Sequence, residues 1–229
     1  MEDLIPQGAI DALTRLVLTN AIYFNAAWQS PFEDDATTNG SFHLLDGGTV
    51  TVPMMRQTES FGYTEGGNYQ AVELLYDGRE LSMVILLPKA GQFETFEESI
   101  DYKTVNGIIS ELENSQVSLT MPKFEFESEF SLKSTLADMG MPAAFSTNAD
   151  FSGMSGNRDL FIDEVIHKAF VSVDEAGTEA AAATAVIMRL TAMPAEPISV
   201  TIDRPFIFLI RDIETSTVLF IGRVLNPEA

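Results

Sequence analysis

The sequence predicts an α+β fold in which strands outnumber helices. Three observations lead to this prediction: several apolar runs of strand length, one segment with helical periodicity, and no regular alternation of strand with helix. Hydrophobic residues make up 45% of the 229 residues, which is enough for a substantial core. We expect one domain over residues 1–229, because neither a repeat nor an interdomain linker interrupts the chain.

The predicted elements within residues 13–88 are strands. Residues 13–28 are rich in Leu, Val, Ile, Tyr and Phe, and they predict one long strand or a strand that runs into a loop. Residues 81–87 are apolar apart from Ser82 and stop at Pro88, as expected of a strand that is buried on both faces. Two further strands are predicted, one around Val50 and Val52 and one over residues 71–75.

Helices are predicted from residue 101 onward. Four apolar residues recur at the spacing of one helix face, and Asp101 is placed to cap the start of that helix. The four are Val105, Ile108, Ile109 and Leu112. Residues 131–139 predict a second, short helix, and Gly140 suits its C-terminal cap. The remaining predictions are strands over residues 117–130, with one buried face, and over 160–173, 207–210 and 218–221.

Acidic residues dominate the charge of the chain. Lys and Arg total 13 and Asp and Glu total 34, a net charge of −21, so nucleic acid and anionic membrane surfaces are poor partners. The chain has neither an N-terminal secretory signal nor an apolar run of the roughly 20 residues that cross a bilayer, and we predict no membrane partner. The absence of cysteine excludes disulfides, thiolate catalysis and cysteine-ligated metal sites.

The sequence gives no support to an enzyme. It has no G-x-S-x-G elbow, no phosphate-binding glycine loop and no H-E-x-x-H motif. We interpret His43 as a structural or surface residue, and His167, inside a predicted strand, as a core residue with a hydrogen-bond partner. We therefore predict no catalytic residue, no metal and no other cofactor.

The most informative segment covers residues 175–184, with the sequence Glu-Ala-Gly-Thr-Glu-Ala-Ala-Ala-Ala-Thr. Its composition would suit an alanine-rich helix. Against a helix, the segment has no amphipathic stripe, and it follows a strong strand through Ala176-Gly177-Thr178. The alternative is an exposed loop between strands, and loops of this length are often functional.

The same ten residues closely resemble the hinge of inhibitory serpins, a family of serine protease inhibitors. The resemblance extends, in order, along essentially the whole chain, and its motifs together are very specific. They are Leu18-Thr-Asn-Ala-Ile-Tyr-Phe24 with Trp28 and Pro31-Phe32, Met121-Pro-Lys123 with Phe124, residues 145–153, Val165-Ile-His-Lys-Ala-Phe170, Asp203-Arg-Pro-Phe206 and Phe220-Ile-Gly-Arg-Val224.

The resemblance implies a serpin-like fold with a large mixed or antiparallel central sheet, smaller sheets and a few helices. It also implies inhibition by suicide: a protease cleaves the exposed loop, and the loop enters the central sheet as an extra strand. The protease, still joined as an acyl-enzyme, is dragged along and distorted. Loop insertion in serpins is itself an instance of strand addition and of the release of stored strain, and the active form is held kinetically.

The resemblance also implies roles for individual residues. The hinge comprises Glu175, Gly177, Thr178, Glu179, Ala180, Ala181, Ala182, Ala183 and Thr184. Alternate side chains of a strand share a face, and from Thr178 to Thr184 one such set is small and uncharged, so it can enter between two strands without overpacking. Trp28 and Lys123 match the breach of the family, where Lys123 would pair with Glu175. Asn20 and His167 match its shutter, where polar groups bridge strands that must part.

The position of the scissile bond follows from the family's usual spacing. Counting from Gly177 places it at Thr191-Ala192, whereas counting back from Pro205 gives a later position, near Pro194. The hinge count is preferred, since insertion needs a fixed strand length. Thr191 would suit a serine protease with a small pocket, elastase-like or subtilisin-like; Arg189 is a trypsin-like alternative and Leu190 a chymotrypsin-like one.

The resemblance begins well inside the serpin domain. The N-terminal helices and the first strands of the central sheet have no counterpart, so we expect an N-terminally truncated domain. The strand at residues 13–24 would then keep an exposed apolar edge, and the chain alone would not be a competent inhibitor. Two alternatives stay open: a non-inhibitory serpin-like binding protein, and an inactive fragment that behaves as a protease substrate. The resemblance favours an extracellular location.

Overall fold

The structure is a computed structural model that describes residues 5, 10, 14–178 and 196–228. Its strands are β1 (Val17–Tyr23), β2 (Ala26–Ala27), β3 (Thr38–His43), β4 (Thr49–Glu65), β5 (Tyr69–Leu75), β6 (Leu81–Pro88), β7 (Glu113–Pro122), β8 (Phe124–Ser131), β9 (Glu164–Val173), β10 (Gly177–Thr178), β11 (Ile198–Thr201), β12 (Phe206–Asp212) and β13 (Val218–Val224). Its helices are α1 (Phe93–Ser99), α2 (Tyr102–Ser110), α3 (Lys133–Asp138) and α4 (Ser152–Ser155), with 3-10 turns at Asp34–Ala36 and Pro142–Phe145. The predicted α+β class is confirmed.

The contacts between residues divide the chain into two compact units. The first comprises Met1–Phe24 and Phe126–Val171, and the second comprises Asn25–Glu125 and Ser172–Ala229.

The first unit is built on β9. Strand β1 runs parallel to β9 over seven paired positions, from Val17 opposite Glu164 to Tyr23 opposite Phe170. Strand β8 also pairs with β9. The Lys168 ammonium of β9 lies 3.0 Å from a carboxylate oxygen of Glu129, and this carboxylate raises the pKa of Lys168 despite the opposing effect of burial.

The second unit contains an eight-stranded sheet. Its strand order is β11-β7-β4-β5-β6-β12-β13, and β3 pairs with β4 beside this path. All neighbours are antiparallel except β11 and β7, which run parallel. The sheet is therefore mixed.

The core of the second unit lies between this sheet and two helices. The prediction of a doubly buried strand at residues 81–87 is confirmed by β6, which is buried from Ser82 onward. Helices α1 and α2 cover part of the sheet with Phe93, Phe96, Val105 and Ile108. The predicted cap is also confirmed, since the Asp101 carboxylate accepts a 2.7 Å hydrogen bond from the Thr104 amide. Sequence reasoning missed α1, because its seven residues bury only two side chains.

Two predicted strands are interrupted. The segment 117–130 is not one strand: β7 ends at Pro122, and the Lys123 amide donates to the Pro53 carbonyl before β8 begins. Proline has no amide hydrogen to continue a ladder, which explains the break. The segment 13–28 is likewise divided into β1 and the two-residue β2.

None of the described helices is long and apolar enough to span a membrane.

Candidate functional site

The only tryptophan of the chain anchors the site in the second unit. Trp28 is buried, and its ring stacks on Tyr76 with 4.6 Å between the ring centroids. Its indole nitrogen donates a 3.0 Å hydrogen bond to the Asp174 carbonyl, and its amide donates to the Ala176 carbonyl at 2.9 Å. A buried indole needs such a partner, and this one fixes the segment that follows β9.

That segment is a tight turn built on Asp174. Its carboxylate accepts hydrogen bonds from the amides of Ala176 and Gly177, at 2.9 and 3.2 Å. The Asp174 amide donates to the Gly177 carbonyl at 2.9 Å. Asp favours such turns because its short side chain can bind the backbone two residues on. The turn (residues 174–177, called the hinge turn below) reverses the chain into β10.

Gly177 fits where a side chain would not. Its φ is +155°, and a Cβ placed on it would lie 2.7 Å from the Ala27 Cα and in contact with the Ala26 carbonyl oxygen. A larger residue would have to push β2 away, so this position requires glycine.

Thr178 lies between two strands. It pairs with Ala26 of β2 on one side and with Val173, at the end of β9, on the other. Its side chain is 0% exposed, and its hydroxyl lies 2.8 Å from the Tyr76 hydroxyl. Burial raises the pKa of Tyr76 far above its ordinary value, although the Thr178 hydrogen bond lowers it slightly. The buried phenol therefore stays neutral and can serve as donor or acceptor.

Glu175 is held by two side chains. Its carboxylate lies 2.6 Å from the Lys123 ammonium and accepts a 2.7 Å hydrogen bond from the Thr37 hydroxyl. The side chain of Glu175 is 11% exposed and that of Lys123 is 38% exposed. Burial raises the pKa of Glu175, but the hydrogen bonds from Lys123 and Thr37 outweigh burial, so the pKa lies below its ordinary value. The carboxylate is thus charged at neutral pH.

The structure brings five predicted site residues together: Trp28, Lys123, Glu175, Gly177 and Thr178. The two shutter residues lie in the first unit, where Asn20 and His167 are register partners across β1 and β9. His167 is half-buried rather than a core residue, and its ring packs at 6.5 Å from that of Phe130. His43 is exposed, in agreement with its interpretation as a surface residue. The remaining predicted residues lie outside the described part of the chain: Glu179, Ala180, Ala181, Ala182, Ala183, Thr184, Arg189, Leu190, Thr191 and Ala192.

Three residues of the site were missed by sequence reasoning: Thr37, Tyr76 and Asp174. Thr37 contacts Glu175 of the hinge turn and Tyr76 contacts Thr178, both from distant parts of the chain, whereas Asp174 belongs to the hinge turn itself. No local pattern marks Thr37 or Tyr76, whereas the Asp-x-x-Gly spacing of Asp174 and Gly177 could have indicated a turn. Among the described residues, no group of three or more acidic or histidine side chains could hold a metal ion.

Comparison with known proteins identifies the family of the chain. The family model described as serpin (serine protease inhibitor) matches residues 1–227. The chain belongs to the serpin family. An uncharacterized serpin-like protein of Thermococcus kodakarensis is 47% identical over 223 residues, which cover 96% of this chain and 52% of that protein. Leukocyte elastase inhibitor A of Mus musculus is 42% identical, with coverage of 98% and 62%.

Solved serpin structures share the fold. The human thyroxine-binding globulin, crystallised with thyroxine, superposes with a TM-score of 0.86 at 34% identity, over 98% of this chain and 59% of that one. The chain thus spans between about half and three fifths of the length of these relatives.

Proposed function

We propose that this serpin inhibits a serine protease by suicide cleavage and loop insertion. The observation that carries the proposal is the position of Thr178, which is fully buried between Ala26 and Val173. The segment that leads into the reactive loop thus begins as a strand with a neighbour on each side. A loop released by cleavage could extend this start, and its side chains on the same face, Ala180, Ala182 and Thr184, are small enough to follow.

In the proposed reaction, the protease serine oxygen attacks the carbonyl carbon of Thr191. The bond between Thr191 and Ala192 breaks, the new amine of Ala192 takes the proton, and an ester joins Thr191 to the protease. Insertion then distorts the protease before water can hydrolyse the ester. The ladder of β1 and β9, with Asn20 opposite His167, is the one that would open for the incoming strand.

The proposed partner is a protease with a small pocket, elastase-like or subtilisin-like, because Thr191 precedes the bond that the hinge count selects. Cleavage after Arg189 or Leu190 would instead indicate a trypsin-like or chymotrypsin-like protease. The names of two relatives agree with a protease partner in general, since they describe inhibitors of leukocyte elastase and of plasminogen activator.

The test is an SDS gel of the protein mixed with elastase, subtilisin or trypsin, with mass spectrometry of the released peptide. We expect a stable band at the summed mass of protein and protease, and a peptide that begins at Ala192; this result would also overturn the expectation that the chain alone is not a competent inhibitor. Protease whose serine is blocked beforehand is the control and should give no such band. Cleavage in the loop with no complex for any of the three proteases would count against the proposal.

The second candidate is a binding protein with an inert loop. The structural similarity to a serpin crystallised with thyroxine favours it. In that case the loop would be cleaved, or left intact, without a covalent complex. A chain that is digested throughout would instead behave as a fragment that serves only as a substrate.

A further inference from the structure

A cavity of about 240 Å³ lies in the second unit, and no residue of the hinge turn lines it. It is bounded by the end of β3, the end of β6, the start of α1 and the residues just before β12. Its wall is apolar, formed mainly by Leu45, Pro88, Phe93 and Pro205. The volume is smaller than the roughly 300–1,000 Å³ of sites for drug-sized molecules, so a fitting ligand would be small.

The polar groups of this cavity are mostly basic. Lys89, Arg204 and His43 line it, and the only carboxylate among its lining residues is that of Asp203. Lys89 is exposed and forms no ion pair with any described residue. The cavity therefore carries a net positive charge in a chain whose total charge is −21.

Arg204 is fixed in position by its neighbours. Its Nε donates to the Pro88 carbonyl at 2.9 Å, and its Nη1 donates to the Asp203 carboxylate at 2.8 Å. The backbone of Asp203 is in turn held by the His43 amide at 2.7 Å. A guanidinium has five N–H groups, and the other three have no partner among the described residues. Its conformation is thus set in advance for a further acceptor, which lowers the entropy cost of binding.

We propose that this cavity binds a small organic carboxylate with a short aliphatic tail. The carboxylate would accept hydrogen bonds from Lys89 and Arg204, and the tail would cover the apolar wall beside Pro88 and Phe93. Charge-assisted hydrogen bonds supply the selectivity for an anion, and burial of the tail adds a favourable hydrophobic contribution. This site is independent of protease inhibition.

The test measures binding of hexanoate to the full chain, by saturation-transfer NMR and by the shift of the melting temperature. Hexylammonium, with a similar tail and the opposite charge, is the ligand control. The titration is made at 0.15 M NaCl, because salt screens the repulsion of the anion by distant carboxylates. We expect saturable binding of hexanoate and none of hexylammonium.

Two charge-reversal variants make the test specific. Lys89→Glu should weaken hexanoate binding about tenfold or more, since a carboxylate would replace the ammonium at the site. Lys103→Glu, on the exposed surface of α2, changes the total charge equally and should leave binding unchanged. The proposal is overturned if hexanoate does not saturate, if hexylammonium binds equally well, or if the two variants behave alike.

Discussion

At the residue scale, the environment of Glu175 determines how much its ion pair with Lys123 contributes to stability. An isolated exposed pair contributes between about 0 and 1 kcal/mol. Glu175 differs because its carboxylate is largely buried and accepts from both Lys123 and Thr37. The exposure of Lys123 still lets solvent screen the pair, so a contribution near the upper end of that range, about 1 kcal/mol, is appropriate.

Glu175→Gln is expected to lower the free energy of unfolding by about 1 kcal/mol at pH 7. The pKa of Glu175 is depressed in the folded state, below its ordinary value of 4.5. The stabilisation is therefore complete above pH 4.5 and is lost as the pH falls through the lower, folded-state pKa. Urea melts of wild type and variant should differ at pH 7 and converge in acid.

The control for this measurement is Glu33→Gln, which removes the same charge from an exposed side chain that lines the same surface pocket as Glu175. It should leave the free energy of unfolding almost unchanged at both pH values. A difference between wild type and Glu175→Gln that stays constant with pH would contradict the assigned role of the carboxylate.

Thr178→Arg is expected to leave loop cleavage intact while it abolishes the covalent complex. The side chain is fully enclosed and hydrogen-bonded to Tyr76, so a guanidinium at this position would be buried without a partner. It would displace β10, the start of the inserting strand, from its place between β2 and β9. Thr178→Ser, which keeps the hydroxyl, should still form the complex. A gel that shows the complex with Thr178→Arg would refute the proposed insertion.

At the element scale, the short pairing of β10 with β2 depends on backbone contact. Each strand has only two residues, so their ladder is weak by itself. The hinge turn and Trp28 supply additional hydrogen bonds to the same segment, at the Asp174 and Ala176 carbonyls. The pairing of β10 with β2 is thus stabilised by the hinge turn and Trp28 rather than by the length of its own ladder.

Gly177→Ala is expected to lower the free energy of unfolding by about 2 kcal/mol, since the added methyl overlaps β2 and the backbone is strained at positive φ. Gly67→Ala is the matched control, because a Cβ there meets no atom within 4 Å. Thermal melts of the two variants should separate clearly. Equal melting temperatures would mean that β2 can shift to accommodate the methyl group without loss of stability. Glycine would then not be required at position 177.

At the scale of the whole molecule, charge is the dominant feature. The described ion pairs use seven of the 13 basic residues, whereas the chain has 34 acidic ones. Most carboxylates therefore face solvent and repel one another. Such repulsion favours solubility and opposes the compact state.

Added salt is therefore expected to stabilise the protein. Raising NaCl from 0.05 to 0.5 M shortens the screening length several-fold, and a gain of about 1 kcal/mol would raise the melting temperature by roughly 2–4 °C. NaCl is preferred to sulfate, which stabilises proteins by exclusion from their surface. A melting temperature that falls with NaCl would mean that the ion pairs outweigh the repulsion.

Much of the fold could be predicted because its signals are local. The apolar run of β6 and the helical spacing after Asp101 lie within short windows of sequence, and both elements were found. Two errors in the predicted elements, a divided strand and a missed helix, also have local causes. Pro122 divides a predicted strand, and α1 is too short to show a stripe.

Sequence alone determined the class and the family, and it predicted five of the eight residues that the structure brings together at the site, because periodicity and motif order are properties of neighbouring positions. Tertiary structure decided the rest. Tyr76 meets Thr178 across 102 positions of sequence, and Thr37 meets Glu175 across 138. Strand pairing and the joint burial of side chains determine these contacts. No short stretch of sequence carries that information.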